Sequence, residues 1–272
     1  MSAQFVLINN DLVPARDAKL SVTDLAIQRG YGIFDFLVVV KGTPVFLEDH
    51  LNRFYHSAAA MHLPVALNRN ELTHAIHRLM DKNQLPDSGI RITLTGGDSP
   101  DGYSIGVPNL IVTQNPFHYL IASEPKGIRL ITQEHQRQLP HIKTIDYAKA
   151  IYLQPIIKAA GADDVLYHNA GFITECPRSN FFIVNNQQEV ITSDKQVLAG
   201  VTRAKILANP EFVVKQATIG LEDLAIAKEA FVTSSTKNVL PVVSIDNKPV
   251  GDGNPGPVTL QLLKWIIQEK GI

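Results

Sequence analysis

The sequence predicts an α+β fold, shading into α/β in its second half, from three observations. Short β-prone runs are joined by tight turns, as where 33–40 (IFDFLVVV) ends at Lys41-Gly42, which favours antiparallel and mixed pairing with helices set around the sheet. Apolar residues recur at helical spacing in a few longer segments only, chiefly 48–61, 70–83, 145–160 and 257–269. With 272 residues, 45% hydrophobic and 19% charged, the chain has material for a sizeable core in one large or two ordinary domains.

In chain order, residues 4–9 (QFVLIN) read as a strand followed by a turn at Asn10-Asp11. The loop SVTDLAIQRGYG then leads into 33–40, whose nearly continuous apolar run marks a buried strand. A helix over 48–61 turns Leu51, Phe54, Tyr55 and Ala58 inward and carries acidic residues at its start. A second helix over 70–83 takes Asn70 as its cap. Residues 90–95 alternate cleanly, Ile90, Ile92 and Leu94 against Arg91, Thr93 and Thr95. The Gly- and Pro-rich stretch GGDSPDGYSIGVP that follows is too long for a tight turn and is of the kind that carries function.

After a strand at 110–114, the segment 115–126 carries two prolines and no clear period. The expected organisation is an N-terminal domain over 1–118, a linker over 119–125 and a C-terminal domain over 126–272. The latter alternates a strand at 128–133, the helix 145–160, strands near 164–168, 171–175 and 181–184, helices at 202–208 and 221–228, strands at 230–233 and 239–245, and a last helix at 257–269.

A net charge of −1 gives no support for binding nucleic acid or an anionic membrane, both of which require a basic excess. No apolar run reaches membrane-spanning length, and the first residues show neither a basic stretch nor a long apolar stretch of the signal-peptide kind. One cysteine, Cys176, rules out an internal disulfide and suits a reducing compartment. Nine histidines show no paired metal-ligand spacing. The expectation is a cytoplasmic, metal-free protein.

Chemistry centres on 140–155, PHIKTIDYAKAIYLQP. Lys143 is expected at the head of an amphipathic helix whose inner face is Ile145, Ala148, Ile151, Tyr152, Pro155 and Ile156, capped by Thr144 or Asp146. An ammonium held among apolar neighbours is desolvated, loses basicity and becomes a Schiff-base former. Glu175, at a strand end in FITECPRSNFFIV, is a carboxylate that needs a partner if buried. In LAGVTRA a small-residue turn opens a helix, so that N–H groups and the Thr202 hydroxyl converge where an anion binds. The turn Ser234, Ser235, Thr236 offers further hydroxyls, and Arg53 on the 48–61 helix seeks an anion. An amine, a carboxylate and several phosphate-binding elements form the inventory that pyridoxal 5′-phosphate (PLP) requires.

These motifs, in this order, resemble the class IV aminotransferases, the fold-type IV PLP enzymes. RGYGIFD (29–35), EDHLNRF (48–54), IKTIDY (142–147), TECPRSNFF (174–182), GVTR (200–203) and VTSSTKNVLPV (232–242) span nearly the whole chain. The resemblance implies two α/β domains with PLP between them, and a homodimer in which N-terminal loops of one subunit complete the site of the other. It further implies that Lys143 forms the Schiff base to PLP and shuttles the substrate proton. Glu175 would hold the pyridine nitrogen protonated, and Arg53, the Val201 N–H, Thr202, Ser235 and Thr236 would bind the phosphate. Tyr147 would hydrogen-bond the ring hydroxyl.

Within the family, the loop SPDGYS lacks the arginine and histidine of well-described D-amino acid transaminases and is similar to that of aminodeoxychorismate lyase. Ser234-Ser235-Thr236-Lys237 stands where branched-chain enzymes usually have Gly-Thr-Ala-Ala. The spacing from Lys143 to Tyr147 is one residue shorter than theirs and nearer the D-amino acid transaminases and the lyase. Arg91 and Arg29 are both available to grip a substrate carboxylate, each against the alternative of a structural salt bridge, with Phe34, Phe36 and Val38 as apolar walls. The expected reaction is transamination between a D-amino acid, such as D-alanine or D-glutamate, and a 2-oxo acid. The alternatives are a branched-chain L-amino acid transaminase or the lyase, and outside enzymes a non-catalytic PLP carrier or small-molecule binding protein.

Overall fold

The computed structural model describes residues 3–117 and 125–271. The linker expected over 119–125 therefore lies outside the described residues except for Pro125. Contacts divide the chain into two compact units, Met1–Leu120 with Ile142–Asp146, and Ile121–His141 with Tyr147–Ile272. The stretch that carries Lys143 groups with the first unit rather than with the 126–272 stretch in which its sequence position put it.

The first unit holds an antiparallel sheet of β1 (Phe5–Ile8), β2 (Asp11–Pro14), β3 (Gly32–Val40), β4 (Thr43–Pro44), β5 (Ser88–Thr95) and β6 (Leu110–Pro116), in the order β2-β1-β6-β5-β3-β4. Strand β3 pairs with β5 along its length, from Gly32 opposite Thr95 to Val39 opposite Ser88. Ile33, Leu37, Ile90 and Ile92 on one face pack with Leu51 and Phe54 of α2 (Leu47–Ala60) and with Leu72, Ile76 and Leu79 of α3 (Arg69–Asn83). Each such fully buried side chain contributes about 1.5–3 kcal/mol, so this face fixes the register of β3. Gly89 in β5 makes room for the Phe36 ring, because a Cβ there would lie 2.3 Å from it and the ring would have to move. Before β3 runs α1 (Leu25–Arg29), a short helix inside what reads from sequence as a loop; Asp24 caps it by accepting from Ala26 N–H. The cap of α3 is Asn68, not Asn70: its side chain accepts from Glu71 N–H while Glu71 reaches back to the Asn68 N–H.

The single helix expected over 145–160 does not form. Instead the Lys143 stretch runs extended beside β3, with Phe34 N–H donating to the Lys143 carbonyl at 2.9 Å and Ile145 N–H to that of Gly32 at 3.1 Å. Helix begins only at α4 (Ala148–Tyr152) and resumes as α5 (Gln154–Ala159). Pro155 lacks the N–H that would continue the ladder back to Ile151, so the two helices meet at Leu153 instead of running on. Tyr147 precedes α4 without a side-chain cap, and neither helix buries a residue of its own. Ile151 and Tyr152, expected on the inner face, are 60% and 68% exposed in the single chain. Leu153, at their junction, is the residue that packs inward, against Val165 and Tyr167.

In the second unit a mixed sheet contains β7 (Ile128–Glu134), β8 (Asp164–Asn169), β9 (Phe172–Ile173), β10 (Glu175–Cys176), β11 (Ser179–Val184), β12 (Val190–Thr192), β13 (Val214–Gln216), β14 (Glu229–Ser234), β15 (Asn238–Ile245) and β16 (Lys248–Pro249). Its order is β13-β12-β11-β14-β15-β7-β8-β9, with β10 paired to β11 and β16 to β15. The pairs β7–β8, β7–β15 and β12–β13 are parallel and the rest antiparallel. Around it lie α6 (Val201–Leu207), α7 (Asp223–Ile226) and α8 (Pro257–Glu269). Buried Glu229 in β14 accepts from the N–H groups of Val258 and Thr259 and from the Thr259 hydroxyl, and so anchors the start of α8. Among the described residues no helix is long and apolar enough to cross a membrane.

Candidate active site

In the first unit, β3 sends adjacent side chains to opposite faces. Asp35, 0% exposed, meets α2: its carboxylate accepts from Arg53 Nε and Nη2, each at 2.8 Å, and His50 Nδ1 lies 2.7 Å away. His50 and Arg53 are three residues apart on α2 and so share a face. Burial alone would raise the Asp35 pKa. The Arg53 charge and hydrogen bonds, joined by His50, override it and hold the carboxyl well below the usual range. Burial outweighs the pull of Asp35 on His50, and the charges of Arg53 and Lys143 push the same way, so its pKa is lowered and the imidazole is neutral at pH 7. Arg53 thus arrives with a forked grip on Asp35. Sequence reasoning missed that carboxylate, although an acid inside the apolar run IFDFLVVV is itself a signal that a buried cation faces it.

On the other face of β3 is Phe34. The Lys143 ammonium lies 4.7 Å from the centre of its ring and the Arg91 guanidinium carbon 4.2 Å. The ring's negative quadrupole lets two cations gather where they would otherwise repel. Lys143 is half-buried, and its backbone N–H donates to the Ser57 hydroxyl at 3.3 Å. Arg29 is not brought into this group. It closes α1 with its side chain exposed, Nη1 donating to the Gln28 carbonyl at 2.9 Å, beside Gly102. There Asp101 folds the SPDGYS loop by accepting from Ser99, Tyr103 and Ser104.

In the second unit, buried Glu175 has the partner that its position demands. Arg137 Nε donates to its Oε1 at 2.9 Å, and Oε2 accepts from Leu198 N–H at 3.0 Å and Asn180 Nδ2 at 3.4 Å. Arg137 also donates to the Pro140 carbonyl at 2.6 Å, which fixes the fork. It, too, escaped sequence analysis, because 38 residues separate the pair and no local pattern links them. Asn180 is cross-strand from Glu175, and a Cβ on Gly200 would lie 2.1 Å from its Oδ1, so a side chain there would displace Asn180 from its bonds to Glu175 and the Leu198 carbonyl.

Val201 and Thr202 open α6, where backbone N–H groups have no partner inside the helix. The Thr202 hydroxyl is buried, the residue being 2% exposed, and has no hydrogen-bond partner among the described residues. The Ser179 and Thr233 hydroxyls share that condition. A buried unpaired hydroxyl costs about 1–3 kcal/mol, which a ligand oxygen can recover. Ser235 is half-buried and Thr236 exposed in the turn between β14 and β15, where the Ser234 hydroxyl accepts from Lys237 N–H at 3.0 Å. Tyr147 is half-buried, its carbonyl accepting from Ile151 N–H.

Residues 32–245 match the model of the family described as Amino-transferase class IV. The chain belongs to the class IV aminotransferases. As such it is a PLP-dependent enzyme of fold type IV that moves an amino group between an amino acid and a 2-oxo acid. It is similar to the D-alanine aminotransferases of Bacillus licheniformis, 28% identical over 93% of each chain, and of Staphylococcus haemolyticus, 27% identical over 94% of each. It also resembles a T.th. branched-chain amino acid aminotransferase solved with pyridoxamine 5′-phosphate. That match has a TM-score of 0.90 and 25% identity over 99% of this chain and 95% of the other. The same enzyme complexed with N-(5′-phosphopyridoxyl)-L-glutamate matches with a TM-score of 0.88. The residues present in this class IV aminotransferase fit the coenzyme: unpaired Thr202 suits a phosphate oxygen, and Arg137-held Glu175 a ring N–H.

Proposed function

We propose that this aminotransferase exchanges amino groups between D-amino acids, D-alanine and D-glutamate in particular, and 2-oxo acids such as pyruvate and 2-oxoglutarate. Bound PLP supplies an electron sink for the electrons of the substrate's Cα–H bond. Lys143 would hold the coenzyme through its side-chain nitrogen as the neutral amine, and as a free amine it would take the proton that leaves the substrate Cα. Glu175, held in place by Arg137, accepts the ring N–H. Arg53, the Val201 N–H, Thr202, Ser235 and Thr236 hold the phosphate, and Tyr147 the ring hydroxyl.

An α-amino acid substrate is supported by the meeting of Arg91 and Lys143 at one ring, Phe34, and the D-configuration by the likeness to the two D-alanine aminotransferases. A guanidinium at that ring grips an α-carboxylate while the substrate nitrogen meets the lysine. Arg29 is proposed as a second carboxylate ligand, delivered by the partner subunit of a cytoplasmic homodimer. Exposed Val22, Ile27, Tyr103 and Val107 around α1 and the SPDGYS loop support such burial against a second copy.

Half-reaction spectroscopy tests the proposal: D-alanine and D-glutamate should shift the coenzyme's absorbance, whereas L-alanine, L-glutamate and L-leucine should not. The likeness to the T.th. enzyme favours a branched-chain L-amino acid transaminase as the second reading. A response confined to L-leucine and L-glutamate would establish it, and pyruvate released from aminodeoxychorismate would establish the lyase.

A further inference from the structure

Lys270, at the C-terminal end of α8, is buried although it is a lysine beside the end of the chain. Its Nζ donates to the Ser235 carbonyl at 3.0 Å and to Asn238 Oδ1 at 2.6 Å. Those two acceptors stand at opposite ends of the turn between β14 and β15, whose closing pair is Ser234 opposite Asn238. One ammonium thus ties the turn across its width. Asn238 holds a left-handed backbone, φ +57°, which asparagine tolerates better than most residues and which its bond to Lys270 helps to fix.

We infer that Lys270 is a positioning residue for phosphate binding: it pins the Ser235–Asn238 turn. This rests on the reading that Ser235 and Thr236 hold the PLP phosphate. Two consequences of the geometry support it. A carbonyl oxygen repels a dianion, and the Ser235 carbonyl is instead committed to Lys270. The fixed turn also presents the Ser235 and Thr236 hydroxyls without the entropy loss of ordering a free loop at each binding event. Burial lowers the Lys270 pKa to about 7, as expected for an ammonium brought out of water into this position.

The test compares PLP with pyridoxal, which lacks the phosphate, in titrations of the full-length coenzyme-free chain followed by absorbance. Lys270→Met should weaken PLP binding about tenfold or more, as for loss of the two hydrogen bonds that tie the turn, and leave pyridoxal binding within about twofold. Ser235→Ala should show the same selective loss through a lost phosphate ligand. A selective loss in Ser235→Ala with none in Lys270→Met overturns the inference alone. No selective loss in either variant overturns the phosphate reading of the turn together with it. Equal weakening of both ligands by Lys270→Met reduces the lysine to a general structural role and also overturns the inference. Should Lys270→Met fail to fold, Asn238→Gly, which keeps the left-handed backbone and removes one acceptor, makes the same comparison with the same outcomes.

Discussion

The Phe34 N–H donates to the Lys143 carbonyl at 2.9 Å, and the Phe34 ring lies under the Lys143 ammonium at 4.7 Å. One residue of β3 therefore holds the lysine at both its main chain and its charge. Lys143→Ala should lower transamination by about 10²-fold or more, as for removal of a general acid–base, while leaving the fold intact. Stopped-flow turnover and far-UV circular dichroism on the same preparation check it, and near-wild-type turnover would remove Lys143 from its role.

Asp35 is the buried counter-charge of Arg53. Asp35→Asn leaves the guanidinium without its anion inside the protein, so unfolding free energy should fall by about 3 kcal/mol or more at pH 7. The pH dependence has a definite sign. Because the folded pKa is depressed, the contribution of Asp35 is complete above the unfolded carboxyl value and is lost as pH falls through the folded one. The gap between wild type and variant in urea unfolding should therefore begin to close below about pH 4 and keep narrowing as the pH falls further. A constant gap down to pH 3 would show that the pair does not couple to folding through this proton.

The limits of the sequence are visible in a few residues. Leu51 and Phe54 can be placed in a core from helical spacing, because amphipathic periodicity is local and both pack as expected. Lys143 can be singled out, but its setting cannot: a periodic apolar run reads as one buried helix, whereas Pro155 splits it and the preceding stretch joins β3. Ile151 and Tyr152 are exposed in the single chain, and periodicity does not tell a core face from another apolar face. Arg53 is recognisable as seeking an anion, yet its partner Asp35 lies in another element, and Arg137 and Lys270 reach their partners over 38 and 32 residues. Contacts of that separation are set by sheet order, which spacing alone does not encode.

Glu175 and Arg137 invite opposite substitutions. Glu175→Gln keeps shape and removes the anion, so it should slow turnover by about 10²-fold, and like Asp35→Asn it should also cost stability because Arg137 loses its anion. Arg137→Leu leaves Glu175 buried without its cation and should cost about 3 kcal/mol of stability. Thermal melts and single-turnover rates for both variants separate the roles. If Glu175→Gln reacts at the wild-type rate, the carboxylate is structural only.

Arg91 and Arg29 make the sharpest distinction, because the first shares the Phe34 ring with Lys143 and the second lies exposed at the end of α1. Arg91→Ala and Arg29→Ala should each raise KM for D-alanine about tenfold or more while PLP binding is unchanged, since a charge-assisted bond to the substrate carboxylate is lost in each. The two should differ in complementation. When Arg29→Ala chains are mixed with Lys143→Ala chains, a heterodimer carries one site with an intact Lys143 and an Arg29 donated by its partner. Random reassociation at equal amounts should then restore about a quarter of wild-type turnover at low D-alanine, because half the dimers are mixed and one site in each is whole. Mixing Arg91→Ala with Lys143→Ala should restore nothing beyond the Arg91→Ala level, since both residues meet at the Phe34 ring within one chain. Equal behaviour of the two mixtures would place both arginines in the same subunit as the lysine they serve.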